Sequence, residues 1–435
     1  MKKLLVAFAL LASLNAHAAL QIQSWTLNNG ARVLFVENHT IPMLDVSVEF
    51  DAGARRDPTG KSGTASLTNA MLARGLQGAD GEPPMNEAQI SDAFADVAAQ
   101  RGGGAGSDRG GLTLRTLSSR TERDSALNML ARLLSQPSFP ADLLARDKAR
   151  TIAGIREADT KPEAIANKTI WRLMYGDHPY AKQETVESVE TITRDDLLAF
   201  HRTHYVANRA VIAMIGDVTR EEADGIAKQL TARLPQGAPL PALPAVAPAQ
   251  AASEKIVHPA SQAHILIGMP AVVRGDPDFF ALTVGNYVLG GGGFVSRLTR
   301  EVREKRGLSY SVYSYFAPMA QSGPFEVGLQ TKKEQAAQAL QVVHDTLAAF
   351  LRDGPTSREL QAAKDNLIGG FALRIDNNRK ILDNIAVIGF YNLPLDYLDT
   401  WTTQIAKVTT ADIKTAFNRK LMADKLSTVV VGSGE

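Results

Sequence analysis

The segment ITRDDLLAFHRTHYVANRAVIAMIGD, residues 192–217, recurs without a gap as VTTADIKTAFNRKLMADKLSTVVVGS, residues 408–433. Thr193 answers to Thr409, Asp196 to Asp412, Ala207 to Ala423 and Gly216 to Gly432, always 216 residues apart. Each copy reads as a capped helix, a turn and a closing apolar strand. A chain that ends both of its halves in the same pattern is a duplication, and it has to build two similar units.

Between the copies lies PQGAPLPALPAVAPAQAASEK, residues 235–255, where Pro and Ala leave neither a helical nor a strand period. Such a composition makes a semi-rigid extended linker. It separates an N-terminal domain, 19–234, from a C-terminal domain, 256–435. A chain of 435 residues also exceeds what one hydrophobic core serves. In the first half RVLFVE, LDVSVEF and GLTLRTL read as strands. Ile90, Phe94 and Val97 mark a helix that should stop at Gly102, and Leu127, Leu130, Ala131 and Leu134 mark another. Strands and helices without strict alternation predict an α+β class, two homologous sandwich domains, each a mixed sheet with helices on one side.

Residues 1–18 have the form of a secretory leader: Lys2 and Lys3, an apolar run over 4–14, and an A-x-A site at Ala16–His17–Ala18. The run is shorter than the roughly 20 residues of a membrane span, so export rather than anchoring is expected, into the bacterial periplasm. The chain contains no Cys, which excludes a disulfide framework and lipid attachment to a thiol. Lys and Arg number 47 against 46 acidic residues, a balance that points to no nucleic-acid partner.

The most informative stretch is GGGGFVSRLTREVREKRGLSYSVYSYF, residues 290–316. Its glycines lack the G-K-[ST] or G-x-G-x-x-G register of a nucleotide loop. A charged helix follows, then a stop at Gly307 and a strand on which Tyr310, Val312 and Ser314 should share a face. The stretch closely resembles the second half of the M16 peptidases, the pitrilysin and insulinase family or inverzincins, where S-R-L-x-x-x-x-R-E-x-x-G-L-x-Y carries an Arg and, seven residues on, a Tyr. The resemblance places that pair at Arg303 and Tyr310 and extends over nearly the whole chain after the leader. Guanidinium and phenol are both donors, and two converging donors can hold a peptide carbonyl and stabilise the oxyanion formed when water attacks it.

In active members the matching segment of the first half is G-x-A-H-x-x-E-H, with two His ligands for zinc and a Glu as general base. In GTASLTNAMLARG, residues 63–75, the ligand positions fall on Ser66 and Ala70 and the base position on Asn69. Ala has no donor, Ser is a weak one, and a neutral amide cannot take the proton from water. The third ligand, a Glu on a later helix, falls on Gly154, or on Glu157 with a shift of three. The helix is expected to serve as scaffold, with Leu67, Ala70 and Met71 facing a core. His201 and His204 stand at i and i+3, but the repeat has Phe417 and Lys420 there, so fold rather than metal selects the positions.

The resemblance therefore implies a chain with no metal site of its own, whose catalytic contribution is Arg303 and Tyr310. Zinc is expected in a partner, an H-x-x-E-H-bearing M16 homologue forming a heterodimer, with an unfolded peptide as substrate. The alternative is a non-catalytic peptide-binding or assembly subunit. A self-sufficient hydrolase would need a nucleophile and base, and Ser107 with Asp108, in a glycine run that should join a helix to a strand, has no suitable neighbours.

Overall fold

The computed structural model describes residues 20–79 and 81–433, and the expected leader, 1–18, lies outside them. The first half contributes β1 (Gln23–Thr26), β2 (Arg32–Glu37), β3 (Met43–Phe50), a short ladder of β4 (Gly75–Leu76) with β5 (Met85–Asn86), β6 (Gln100–Ala105), β7 (Gly110–Leu117) and β8 (Val211–Gly216). Six of these form a sheet in the order β1-β2-β8-β3-β7-β6, antiparallel except for β2 beside β8. The second half contributes β9 (Ser253–Val257), β10 (Gln262–Val272), β11 (Val312–Phe316), β12 (Gly323–Lys332) and β13 (Ser427–Ser433). Their order is β11-β12-β10-β13-β9, again mixed through one parallel pair, β13 with β9. No regular element interrupts 235–252.

The helices that matter here are α1 (Thr64–Met71), α2 (Arg120–Ser135), α3 (Ala141–Ala158), α4 (Pro162–Tyr175) and α5 (Arg194–His204), then α6 (Phe279–Asn286), α7 (Ala336–Asp353), α8 (Ser357–Gly369), α9 (Asn378–Tyr391) and α10 (Thr410–Lys420). The starts of α2, α3, α4 and α5 recur at α7, α8, α9 and α10, each 216 residues later. The repeated Thr and Asp have a physical task. Thr193 Oγ1 accepts from the Asp196 amide at 3.2 Å while Asp196 Oδ2 accepts from the Thr193 amide at 2.8 Å, and Thr409 with Asp412 repeats the box at 3.1 and 2.8 Å. Two orphan amides are satisfied at each helix start, which fixes where the helix begins.

Within each half, helices of that half cover one side of its sheet. Leu127, Leu130 and Leu134 of α2 join Phe35, Val46, Val48 and Phe50 in one core, and Val343, Leu347 and Phe350 of α7 join Ile265, Ile267, Phe325 and Val327 in the other. The opposite faces are covered by exchange. Ile381, Leu382, Ile385 and Ala386 of α9 pack on Val36, Ala213 and Ile215 of the first sheet, and Ala166, Ile170 and Met174 of α4 pack on Leu266, Val429 and Val431 of the second. This explains why VIAMIG in β8 is buried at all six positions and why VVV runs unbroken in β13: a strand covered on both faces has no solvent side on which to alternate. Each fully buried Leu or Ile side chain contributes about 1.5–3 kcal/mol, so the three such residues of α9 in this contact bind the halves firmly. At Gly389 the fit is closest, since a Cβ there would meet Leu34 and Val211 side chains at 2.7 Å.

The two exchanged helices end in tyrosines, Tyr175 and Tyr391, that also stand 216 apart. Tyr175 Oη donates to the Ser322 carbonyl at 3.0 Å, in the hairpin between β11 and β12, and Tyr391 Oη donates to Asp108 at 2.8 Å, in the hairpin between β6 and β7. Asp108 is 3 % exposed and accepts three further bonds, from Arg55 Nη1 at 2.9 Å, Tyr180 Oη at 2.6 Å and the Ala320 amide at 2.8 Å. Two of its four donors come from each half.

The predicted helix around Ile90 ends at Ala95, before Gly102, and the glycine run does not join a helix to a strand: Gly102, Gly103 and Gly104 are themselves part of edge strand β6. Glycine carries no strand preference of its own. Pairing with β7, register Gly102 to Thr113, imposes the extended form.

Candidate functional site

Helix α1 starts at Gly63, whose φ of +104° suits glycine, and its first turn is fastened by Asp57, which accepts from the Gly63 and Ala65 amides at 2.7 Å each. Leu67 and Met71 enter the core as expected, but Ala70 is exposed. The short helix packs through its Leu67 and Met71 edge, and Ala70 carries too little apolar area to pull its own face inward. Asn69, at the general-base position, is 6 % exposed and donates to the Gly111 carbonyl at 3.0 Å and to Tyr205 Oη at 3.1 Å. Its amide is a structural cross-link between α1, β7 and the end of α5.

Gly154 is exposed on α3 and lines a cleft of about 560 Å³ with Ser107, Trp171 and Lys182. Glu157 points into water and pairs with Lys161 at 2.6 Å, which holds its carboxyl below the usual range. Among the described residues no three His, Cys, Asp or Glu side chains gather where they could hold a metal. Ser66, Asn69 and Ala70 therefore do not fit the zinc that this helix holds in active members. The two neighbouring histidines are core groups. His201 Nε2 donates to the Leu134 carbonyl at 2.8 Å and stacks on Tyr205, while His204 Nδ1 donates to the Asp51 carbonyl at 2.8 Å. Burial lowers both imidazoles to about 4, so they are neutral at physiological pH.

The second site is built on the glycine-rich stretch. A helical turn, Thr299–Glu304, places Arg303, and Gly307 at φ +61° reverses the chain. Strand β11 begins only at Val312, so Tyr310 precedes it rather than sharing its face. The reason is local: Ser309 Oγ donates to the Ser311 carbonyl at 2.5 Å and closes a turn around Tyr310. Val302, Leu308 and Val312 are buried on either side, so the backbone is anchored while the Tyr310 ring stands 84 % exposed. The Arg303 guanidinium lies 5.0 Å from the centre of that ring and 4.7 Å from the ring of Phe294.

The charges around the pair are arranged selectively. Arg297 forks onto Glu359 at 2.6 and 2.8 Å, Lys305 and Arg306 both reach Glu301, and Arg300 lies 3.5 Å from the same carboxylate. These cations hold Glu301 and Glu359 down at about 2. Among the described residues Arg303 has no ion pair or hydrogen bond of its side chain, only the two ring contacts, and Tyr310 Oη has no partner. Ring contacts of this kind accept no hydrogen bond from the guanidinium, so its N–H donors stay open. Tyr310 also borders a cleft of about 170 Å³ that Glu163 of exchanged helix α4 closes from the other half. Both residues expected at the site are thus brought together with uncommitted donors. Phe294 was not foreseen, because a ring behind a glycine run reads as a buried anchor.

The duplicated two-sheet scaffold, with Ser66, Asn69 and Ala70 on its helix α1, has the architecture of an M16-like peptidase. Residues 191–367 match the model described as the peptidase M16 inactive domain. A crystal structure of a peptidase M16 inactive domain from Pseudomonas fluorescens is 39 % identical, with 96 % of this chain and 98 % of that one aligned at a TM-score of 0.90. The chain belongs to the peptidase M16 family. The non-peptidase homolog YmxG of Helicobacter pylori is 27 % identical over 88 % of this chain and 87 % of its own length. The periplasmic protease PqqL of Escherichia coli shares the fold at 15 % identity and a TM-score of 0.81, over 95 % of this chain and 45 % of PqqL.

Proposed function

We propose that this chain is the non-zinc-binding subunit of a heteromeric periplasmic M16 zinc metallopeptidase. Arg303 and Tyr310 donate to the carbonyl of the scissile peptide bond, and those bonds strengthen as the oxygen becomes an oxyanion. Zinc, held by the two His of an H-x-x-E-H-bearing partner, would supply Lewis-acid chemistry and a water of lowered pKa, and the partner's Glu would serve as general base. The observation that carries this reading is the paired, uncommitted donor set at Arg303 and Tyr310, in a stretch where the other cations face carboxylates. The exposure of Tyr310 suits a group completed by another chain.

The substrate is an unfolded peptide, taken up in extended form at a sheet edge such as β6 or β11, each of which pairs on one side only. Export is supported by the leader-like residues 1–18, and among the described residues no helix is long and apolar enough to cross a membrane. The test is reconstitution with an H-x-x-E-H homologue encoded nearby. Tyr310→Phe should lower kcat by roughly 10²–10³ with zinc content unchanged, whereas Lys305→Ala and Arg306→Ala, which remove cations committed to Glu301, should not. If Tyr310→Phe assembles and turns over normally, the chain is instead a non-catalytic binding or assembly subunit, the reading favoured by the match to an inactive-domain model.

A further inference from the structure

We infer that Phe294 is a positioning residue that holds the Arg303 guanidinium in place as a donor; this rests on the function proposed above. Phe294 is 69 % exposed and Val295 beside it 67 %, outside any core, so burial does not explain the ring. Its loop is nonetheless held firmly. A Cβ at Gly290 would meet Ser314 Oγ at 2.4 Å, Gly293 turns the chain at φ +58°, and Ser296, fully buried, bonds Thr299 through both its hydroxyl contacts at 3.0 and 3.3 Å. The glycines bring backbone close to β11, and the serine fastens the far end of the loop. The ring so presented lies 4.7 Å from the guanidinium carbon, against 5.0 Å for the Tyr310 ring.

The choice of a ring has a chemical logic. A carboxylate would hold Arg303 more strongly, as Glu359 holds Arg297, but it would occupy the N–H edge. Two aromatic contacts restrain the guanidinium without accepting a bond from it, and so leave its N–H donors for a carbonyl. A long side chain restrained before substrate arrives has less rotamer freedom left to lose in the transition state. Phe294 touches no reacting atom in this scheme and acts through Arg303.

The test has two arms. In the isolated chain, the Arg303 side-chain Nε–H resonance, followed by NMR, should carry a ring-current shift that persists in Phe294→Trp and moves toward the free-arginine position in Phe294→Leu. In the reconstituted peptidase, Phe294→Leu should lower kcat about 2- to 5-fold, the range expected for an exposed cation–π contact, with KM little changed and Phe294→Trp near wild type. In an Arg303→Ala background, Phe294→Leu should add nothing. An unmoved arginine resonance, or an equal kcat loss with and without Arg303, overturns the assignment. If Arg303→Ala and Tyr310→Phe are themselves silent, the proposed function falls, and the resonance alone decides whether Phe294 holds the guanidinium.

Discussion

Replacing Asp108 with Asn tests the tie between the halves most directly. Oδ1 accepts from Arg55 and Tyr180, and Oδ2 from the Ala320 amide and Tyr391. An amide of the same shape has one acceptor oxygen, so its NH₂ must face one of these pairs. Toward the second half it opposes the Ala320 N–H, which cannot turn away; toward the first it opposes Arg55, which has no lone pair to offer. Either way one buried donor is orphaned and the carboxylate charge opposite Arg55 is gone, although Arg55 keeps its 2.9 Å bond to Asp51. Removing one partner of a buried pair costs about 3–5 kcal/mol, a large share of the 5–15 kcal/mol typical of a folded domain. Tyr391→Phe removes a single charge-assisted bond and should cost about 1.5–3 kcal/mol. Urea unfolding at constant m measures both, and because the two residues share one bond, the double variant should fall short of the sum by at least about 1 kcal/mol. A loss below 1 kcal/mol for Asp108→Asn, or strict additivity with Tyr391→Phe, would refute the assignment of Asp108 as the tie.

Protonation of the buried histidines predicts acid lability. Their folded values near 4 lie below the ordinary 6.5, so the unfolded chain binds more protons between those limits, and stability is full above pH 6.5 and lost as pH falls toward 4. About 3 kcal/mol is at stake for each, and His201→Phe, the residue of the repeat, should be more stable than wild type at pH 4.5 and equal or slightly weaker at pH 7.5 by chemical denaturation. The variant Ser66→His, Asn69→Glu, Ala70→His should retain no stoichiometric zinc by metal analysis after dialysis, since Gly154 offers no third ligand. A protease site inserted within 245–250 and cut should leave two fragments that co-elute on gel filtration, because α4 and α9 remain buried in the opposite halves.

Much of this architecture was legible. The 216-residue offset tied the last helix and strand of each half together, and the Thr–Asp boxes at 193/196 and 409/412 marked helix starts that local hydrogen bonds alone decide. Continuous burial was also written in VIAMIG and VVV, yet the helix that covers each strand belongs to the other half, and no periodicity spans that distance. Asp108 is similar: its partners lie at 55, 180, 320 and 391. The alternation Tyr310, Val312, Ser314 extended the strand on paper because a turn closed by Ser309 leaves the pattern intact. Arg303 and Tyr310 were legible through the family resemblance, but the freedom of their donors depends on which carboxylates neighbouring cations have claimed.

The crossing of α4 and α9 bears on ancestry. A forebear of half this length would have had one bare sheet face and one helix with nothing beneath it, and two copies could satisfy both needs only by trading that helix across a two-fold axis. Fusion of two such genes through a proline-rich joint would turn a trade between equals into a bond within one molecule. From then on each copy was free to diverge at its own site, provided the traded helices still fitted.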